Sequence, residues 1–434
     1  MRDYAFIALL AGLLPFALWN PQIGVLSYVW VGLMNPHRFV YKLSTFPVAL
    51  TFALATLVAM VVRQRFGRFP VLAETVLILT WFCYTTITTI VGIGPEGWTY
   101  WDQFSKMLLM STLAGMLLQT RKDLNRFVIV ITASIAFFSI KGGIFSILTK
   151  GRYQVFGPPG SFITDNNDMA LAGLMVLPLV LYFIRQERKS WRRMGLQIGF
   201  LLAMVGILFS YSRGALVGLA GVTLFMAWRS RHRFRAVTLA ILAVSAIVVF
   251  APKAWMERMH TIKSYQEDAS ALGRLNAWGF AWNLATSRPI GGGFRSFTPE
   301  TFRTYAPNPD DYHEAHSIYF QVLGEQGFPG LAIFLGILAS SMVRLQRIRK
   351  ETRRQPEWKW THDLAEMLQC SLLAYCLGGA FLGRAYFDLY YYIIVAGVLL
   401  QVVYVDERRR VAVPAPETVP TGLTRAPAPA ATPA

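Results

Sequence analysis

The chain has 434 residues, of which 54% are hydrophobic, 14% aromatic and only 15% charged, too little polar surface for a soluble body of this size. The net charge of +18 does not mark a nucleic-acid binder, because the basic residues stand in short clusters between apolar runs rather than on one face of a soluble domain. The composition therefore specifies an all-α, polytopic membrane protein with the lipid bilayer, and no nucleic acid, as its surroundings.

In chain order, MRDYAFIALLAGLLPFALWNPQ has an apolar core without a small-residue cleavage site and reads as a retained membrane segment. Runs approaching the roughly 17 to 25 residues of a bilayer crossing follow at 3–19, 45–62, 70–92, 103–119, 127–149, 168–184, 195–211, 214–228, 236–251, 328–343, 364–383 and 387–405, twelve in all. IGVLSYVWVGLMNP at 23–36, bracketed by Pro21 and Pro36, is too short to cross alone and reads as re-entrant or interfacial. If it crosses, there are thirteen spans. The predicted organisation is a bundle of about nine spans over 1–251, a large external loop or cap with short helices over 252–327, three spans over 328–405, and a disordered Pro/Ala-rich tail over 406–434.

The clusters RQRFGR, RKDLNR, RQERKSWRR, RSRHRFR, the stretch 344–363 and DERRR hold more than half of the 42 lysines and arginines. Basic short loops face the cytoplasm, and these alternate with the other connections without a parity error from residue 63 onward. That places 93–102, 150–167, 211–213, 252–315 and 384–386 outside and both termini inside. The one large external connection, 252–315, carries seven basic and seven acidic side chains with Trp255, Trp278, Trp282, Tyr305 and Tyr312, which suits an amphipathic cap on the membrane surface.

Several residues could carry chemistry. Arg213, between two apolar runs in GILFSYSRGALVGLAG, either snorkels to headgroups or binds an anion, with the N-terminus of the next helix favouring the same ligand. ALGRLNAWGFAWNLATSRPIGGGFRSF reads as a helix ended by Pro289 and three glycines, with Arg274, Trp278 and Trp282 on one face. Arg274, Arg288 and Arg295 are phosphate ligands or surface ion-pair partners; the glycines allow close approach to a ligand or make a flexible turn. His316, one helical turn before Tyr319 and Phe320, is a general base or a structural imidazole, while His313 reads as exposed.

Asp165, Asn166, Asn167 and Asp168, in GPPGSFITDNNDMALAG, cap the next helix or hold hydroxyl groups of a ligand. Glu74, Lys106 and Lys141 lie in or beside spans and need internal partners that the sequence does not identify; Arg384 and Asp388 at i, i+4 read as a mutual bridge. His313 and His316 have no cysteines near them, so no metal is expected. Cys83, Cys370 and Cys376 read as small hydrophobes.

SYSRGALVGL, GRLNAW with RPIGGGF, and AHSIYFQVLGEQGFPG before a span together resemble the bacterial O-antigen ligase and polymerase superfamily, membrane glycosyltransferases of the GT-C type. NPQIGVLSYVWVGLMNPHRF and GPPGSFITDNND further resemble a subgroup of O-glycosylation ligases associated with exosortase systems. The resemblance covers nearly all of 1–405. It implies transfer of a glycan from undecaprenyl diphosphate, without metal or cofactor, to an acceptor hydroxyl on the periplasmic side of the bacterial inner membrane. A lipid A-core acceptor would complete lipopolysaccharide; a protein Ser/Thr or another glycan repeat are the alternatives. By the same resemblance Arg213 and Arg274 would neutralise the diphosphate and His316 would activate the acceptor. Arg288, Arg295, Asn167, Asp168 and Tyr319 would complete the substrate site. Direct displacement would invert the anomeric carbon. Outside the enzymes, a lipid-linked sugar transporter would show broken spans with midplane charges, whereas these candidates gather on one side.

Overall fold

A computed structural model describes residues 2–40, 46–229 and 269–412. Among them stand fourteen α-helices and two short 3-10 turns, with no strand, as expected where apolar surroundings force each segment to satisfy its backbone polar groups internally. The helices are α1 (Arg2–Trp19), α2 (Pro21–Met34), α3 (Val48–Val62), α4 (Ala73–Ile90), α5 (Gly97–Leu117), α6 (Arg121–Leu148), α7 (Asn166–Gln186), α8 (Ser190–Leu208) and α9 (Arg213–Arg229), followed by α10 (Ala269–Ser287), α11 (Pro299–Tyr305), α12 (Ile318–Thr352), α13 (Lys359–Gly379) and α14 (Asp388–Ala412).

Six helices, α4, α6, α7, α8, α12 and α14, are long and apolar enough to cross a membrane by length and composition, and each coincides with a predicted crossing. The predicted crossings at 3–19, 45–62 and 214–228 are the 18-, 15- and 17-residue helices α1, α3 and α9. Those at 103–119 and 364–383 are α5 and α13, which carry Asp102 and Lys106, and Asp363 and Glu366. The predicted crossing at 236–251, the start of the large loop with Trp255, and residues 413–434 lie outside the described residues. Residues 406–412, predicted as the start of the tail, continue α14 as helix.

Side-chain contacts sort the connections onto two ends of the bundle. At one end the basic clusters meet. Arg185 reaches Glu366 at 2.7 Å, Arg229 Nη1 donates to Gln369 at 2.8 Å, the Arg121 guanidinium lies 4.3 Å over Trp360, and Arg408 approaches Glu351 at 3.7 Å. The buried Glu74 finds its partner here in Arg344, whose Nε donates to both carboxylate oxygens at 2.8 Å. Lys106 instead bonds Asp102 one turn away at 2.5 Å, and Lys141 stands 5.9 Å from the Phe39 ring. The connections predicted to lie together outside meet at the opposite end, described below.

The first 40 residues hold α1 and α2. Segment 23–36 belongs to a 14-residue helix that begins at the basic end, where Gln22 Nε2 donates to Leu117 O at 3.0 Å, and ends at Asn35 with left-handed φ 47°. Near its far end a Cβ at Gly32 would stand 3.8 Å from the Asp388 carboxylate. This helix therefore makes contacts at both ends of the bundle. Trp19, at the end of α1, lies 3.6 Å beneath the Arg63 guanidinium.

Helices α7 and α14 form the interior of the bundle: 78% of the apolar window of each is buried. Tyr390, Tyr391 and Tyr392 of α14 are wholly buried, and Tyr391 accepts the Trp81 indole N–H at 3.0 Å. Such a packed centre gives the connections at the site end a rigid base.

Candidate functional site

Helix α10 organises the loop ahead of α12. Asn276 Nδ2 donates to the carbonyls of Asn308 and Asp311 at 2.8 and 2.7 Å, and its Oδ1 accepts the Asn308 N–H at 2.8 Å. Trp278, one turn after Arg274, donates to Ala315 O at 2.8 Å and stacks on Phe320 with centroids 4.7 Å apart. Trp282, a turn further, meets Phe328 edge-on at 5.7 Å. The predicted aromatic stripe thus lies along the first turns of α12. His313 is half-buried rather than exposed: its Nε2 is 2.9 Å from Asp311 Oδ1, and its ring packs on Gly273.

The glycines of RPIGGGF and EQGFPG are partners. Gly292 N–H donates to Gly324 O at 2.9 Å, Gly293 N–H to Glu325 O at 2.7 Å, and Ile93 N–H to Gly292 O at 2.8 Å. At Gly327 φ is 65°, which bends α12, and a Cβ there would collide with Pro289 O and stand 2.6 Å from Gly291 N. The three glycines bring backbone against backbone here. Arg288 belongs to the same knot, donating from Nη2 to Val91 O at 2.8 Å.

Between α13 and α14 the chain turns through 380–387. Tyr375 Oη donates to Arg384 O at 2.9 Å, and Gln321 Oε1 accepts the Ala385 N–H at 3.2 Å. Arg384 forks onto Asp168, with Nε 2.6 Å from Oδ1 and Nη2 on Oδ2. This replaces the predicted Arg384–Asp388 bridge: a planar guanidinium meets a carboxylate 216 residues away better than one a single turn along. Asp165 caps α7 by accepting Asn167 N–H at 2.8 Å, and Asn166 Nδ2 donates to Ser210 O at 2.7 Å, tying that cap to the turn that precedes Arg213.

Residues 378–383 stand beside two of the three principal candidates. A Cβ on Gly214, next to Arg213, would stand 3.5 Å from Gly378 O and 3.3 Å from Phe381 Cβ; one on Gly383 would stand 3.6 Å from His316 N. Arg213 and His316 therefore flank 378–383. His316 has left-handed φ, 42°. Burial first, then the charge of Arg274, hold its imidazole below the ordinary value of 6.5, against an opposing pull from Glu314 and Asp165. Arg274 is thus within electrostatic reach of His316, which their separation of 42 positions in the sequence does not show.

Beside this turn a cavity of about 520 Å³ opens. Its lining includes Arg295, Arg384, Glu314, Glu325 and Asp388 with Tyr100, Phe162 and Tyr386. Of the residues predicted for the site, Arg295 lines it directly, its guanidinium 4.7 Å over Tyr100 and 3.3 Å from Glu314. Ala315, adjacent to His316, is also in the wall. Asp168 reaches the cavity through Arg384. Tyr319 does not line it and donates to Cys376 O at 3.0 Å; Asn167 serves in the α7 cap.

Sequence reasoning passed over Glu314, Glu325 and Arg384 as site residues. Glu325 is 3% exposed and its Oε1 accepts the N–H of Arg295 at 3.0 Å, a residue with φ 58°. An acid inside the apolar run IYFQVLGEQGFPG was the available signal, since a buried carboxylate requires partners. Among the described residues no cluster of three or more histidine, cysteine or acidic side chains could hold a metal ion.

Comparison with known families matches residues 198–335 to O-antigen ligase and residues 1–188 to a family of unknown function (DUF5935). No curated protein matches the chain. The O-antigen ligase segment contains Arg213, Arg274, Arg295, His316 and Glu325; the other contains Tyr100, Phe162 and Asp168. The cavity is built by both segments together with 383–388.

Proposed function

We propose, on the premise that this is a multi-pass helical membrane protein of the O-antigen ligase superfamily, that it moves a glycan from undecaprenyl diphosphate to a lipid A-core sugar hydroxyl. The observation that carries the reading is the convergence at the 378–383 turn of Arg213 and of His316, the latter in the field of Arg274. By the positive-inside bias the basic end faces the cytoplasm, and the site end then faces the periplasm of an inner-membrane protein.

A sugar diphosphate leaves readily once its growing negative charge is held by preorganised cations, and that is the role of Arg213 and Arg274. His316, held neutral by burial and by Arg274, accepts the proton of the attacking acceptor hydroxyl. The hydroxyl oxygen bonds to the anomeric carbon as the bond to phosphate breaks, and the proton passes to the imidazole. One displacement inverts the anomeric centre, and recovery of the donor's anomer in the product would overturn that step.

The test is complementation of a ligase-deficient strain, read as lipopolysaccharide ladders, with Arg213→Ala, Arg274→Ala and His316→Ala beside the wild type. Loss of ladder in each variant at equal membrane abundance is expected, and full ladders from all three would overturn the mechanism. Wild-type failure with long unligated glycan would assign a polymerase, and glycan appearing on protein would assign a protein acceptor.

A further inference from the structure

We propose that the 520 Å³ cavity is the seat of the acceptor's sugar, a pyranose ring held by Glu325, Asp388 and Gln103 against aromatic walls. This rests on the transferase reading for its meaning, though not for its test. The volume falls within the roughly 300 to 1,000 Å³ that encloses a small organic ligand. Phe162, Phe297, Tyr386 and Phe387 in its wall supply apolar ring faces, and Gln103 and Gln321 stand among the lining amides.

Charge decides against the diphosphate as occupant. Three carboxylates, Glu314, Glu325 and Asp388, line the cavity, while its two arginines are already engaged, Arg295 with Glu314 and Arg384 with Asp168. A polyanion would meet the carboxyl groups of Glu325 and Asp388, whereas a neutral polyol would meet hydrogen-bonding partners. Glu325 Oε2 is the sharpest sign. It is buried and lacks a hydrogen-bond partner of ordinary geometry, although the Tyr386 hydroxyl lies close enough to interact. A buried acceptor so placed gains from a hydroxyl donor. Position agrees with chemistry, because two wall residues, Ala315 and Gly383, adjoin His316, the first in sequence and the second against its backbone N.

The probe is a set of methyl pyranosides (glucoside, galactoside and N-acetylglucosaminide) binding to the full chain in nanodiscs, read by saturation-transfer NMR, with undecaprenyl diphosphate as competitor. Wild type should bind at least one, and Glu325→Gln or Asp388→Asn should weaken it about tenfold, the loss of one well-made hydrogen bond. Gln103→Trp, which fills the cavity without touching a charge, should abolish it, and thermal unfolding verifies that each variant is folded. The proposal is overturned if no pyranoside binds, if folded variants bind as wild type does, or if undecaprenyl diphosphate displaces the sugar. Sugar binding by a protein that transfers no glycan would sink the transferase reading and leave this site standing.

Discussion

Arg384→Gln probes the joint on which the site hangs. Asp168 is 6% exposed and Arg384 37%, with a forked contact between them, so the substitution strands a buried carboxylate. Removing one partner of a fully buried pair costs about 3 to 5 kcal/mol; because Arg384 opens onto the cavity and is partly hydrated there, about 2 to 3 kcal/mol is the reasonable figure. Asp168→Asn should cost less, about 1 to 2 kcal/mol, since the arginine left behind can turn to water. The double variant removes both charges and should be little worse than Arg384→Gln alone. Unfolding of the four proteins in mild detergent by SDS titration closes the cycle, with an expected coupling above about 1 kcal/mol. Single-variant losses that add to within about 0.5 kcal/mol would show that the pair does not hold the turn. Because Gly383 lies against His316 N, glycan transfer should fall with Arg384→Gln even where the protein remains folded.

Burial and the charge of Arg274 lower the His316 pKa, so the base is neutral above a value under 6.5 and transfer should be lost only as the pH falls through it. Arg274→Gln removes one lowering influence and should move the acid limb of the pH–rate profile upward; an unmoved limb would separate Arg274 from His316. Gly327→Ala, at φ 65° and facing Pro289 O and Gly291 N, should destabilise by more than about 3 kcal/mol, positive-φ strain plus a clash. Gly195→Ala, with nothing within 4 Å, should be neutral or stabilising by about 1 kcal/mol, and equal effects in the two would refute the knot. In a Cys83→Ala background, Asn308→Cys should react with a membrane-impermeant maleimide in intact cells and Arg409→Cys only after lysis. An N-terminal tag should be accessible from outside, because Trp19 at the end of α1 lies against Arg63; protection of that tag would favour the even-numbered scheme.

Much of the fold was legible in the sequence. The bilayer admits few solutions, and length and apolarity specify where the helices run among the described residues without reference to what packs where. Arg213, Arg274 and His316 could be singled out as candidates from the sequence, since charge and imidazole in greasy surroundings stand out by expense alone. What packing decided lies in relations across long separations. Arg384 pairs with Asp168 rather than Asp388, Glu74 pairs with Arg344, Gly291 packs against Gly327, and the 14-residue helix α2 makes contacts at both ends of the bundle. Hydropathy sums a residue with its chain neighbours, whereas a buried ion pair, an orphaned carboxylate oxygen or a protected short helix depends on atoms brought in from elsewhere; periodicity contains no such term, so only the folded bundle could supply it.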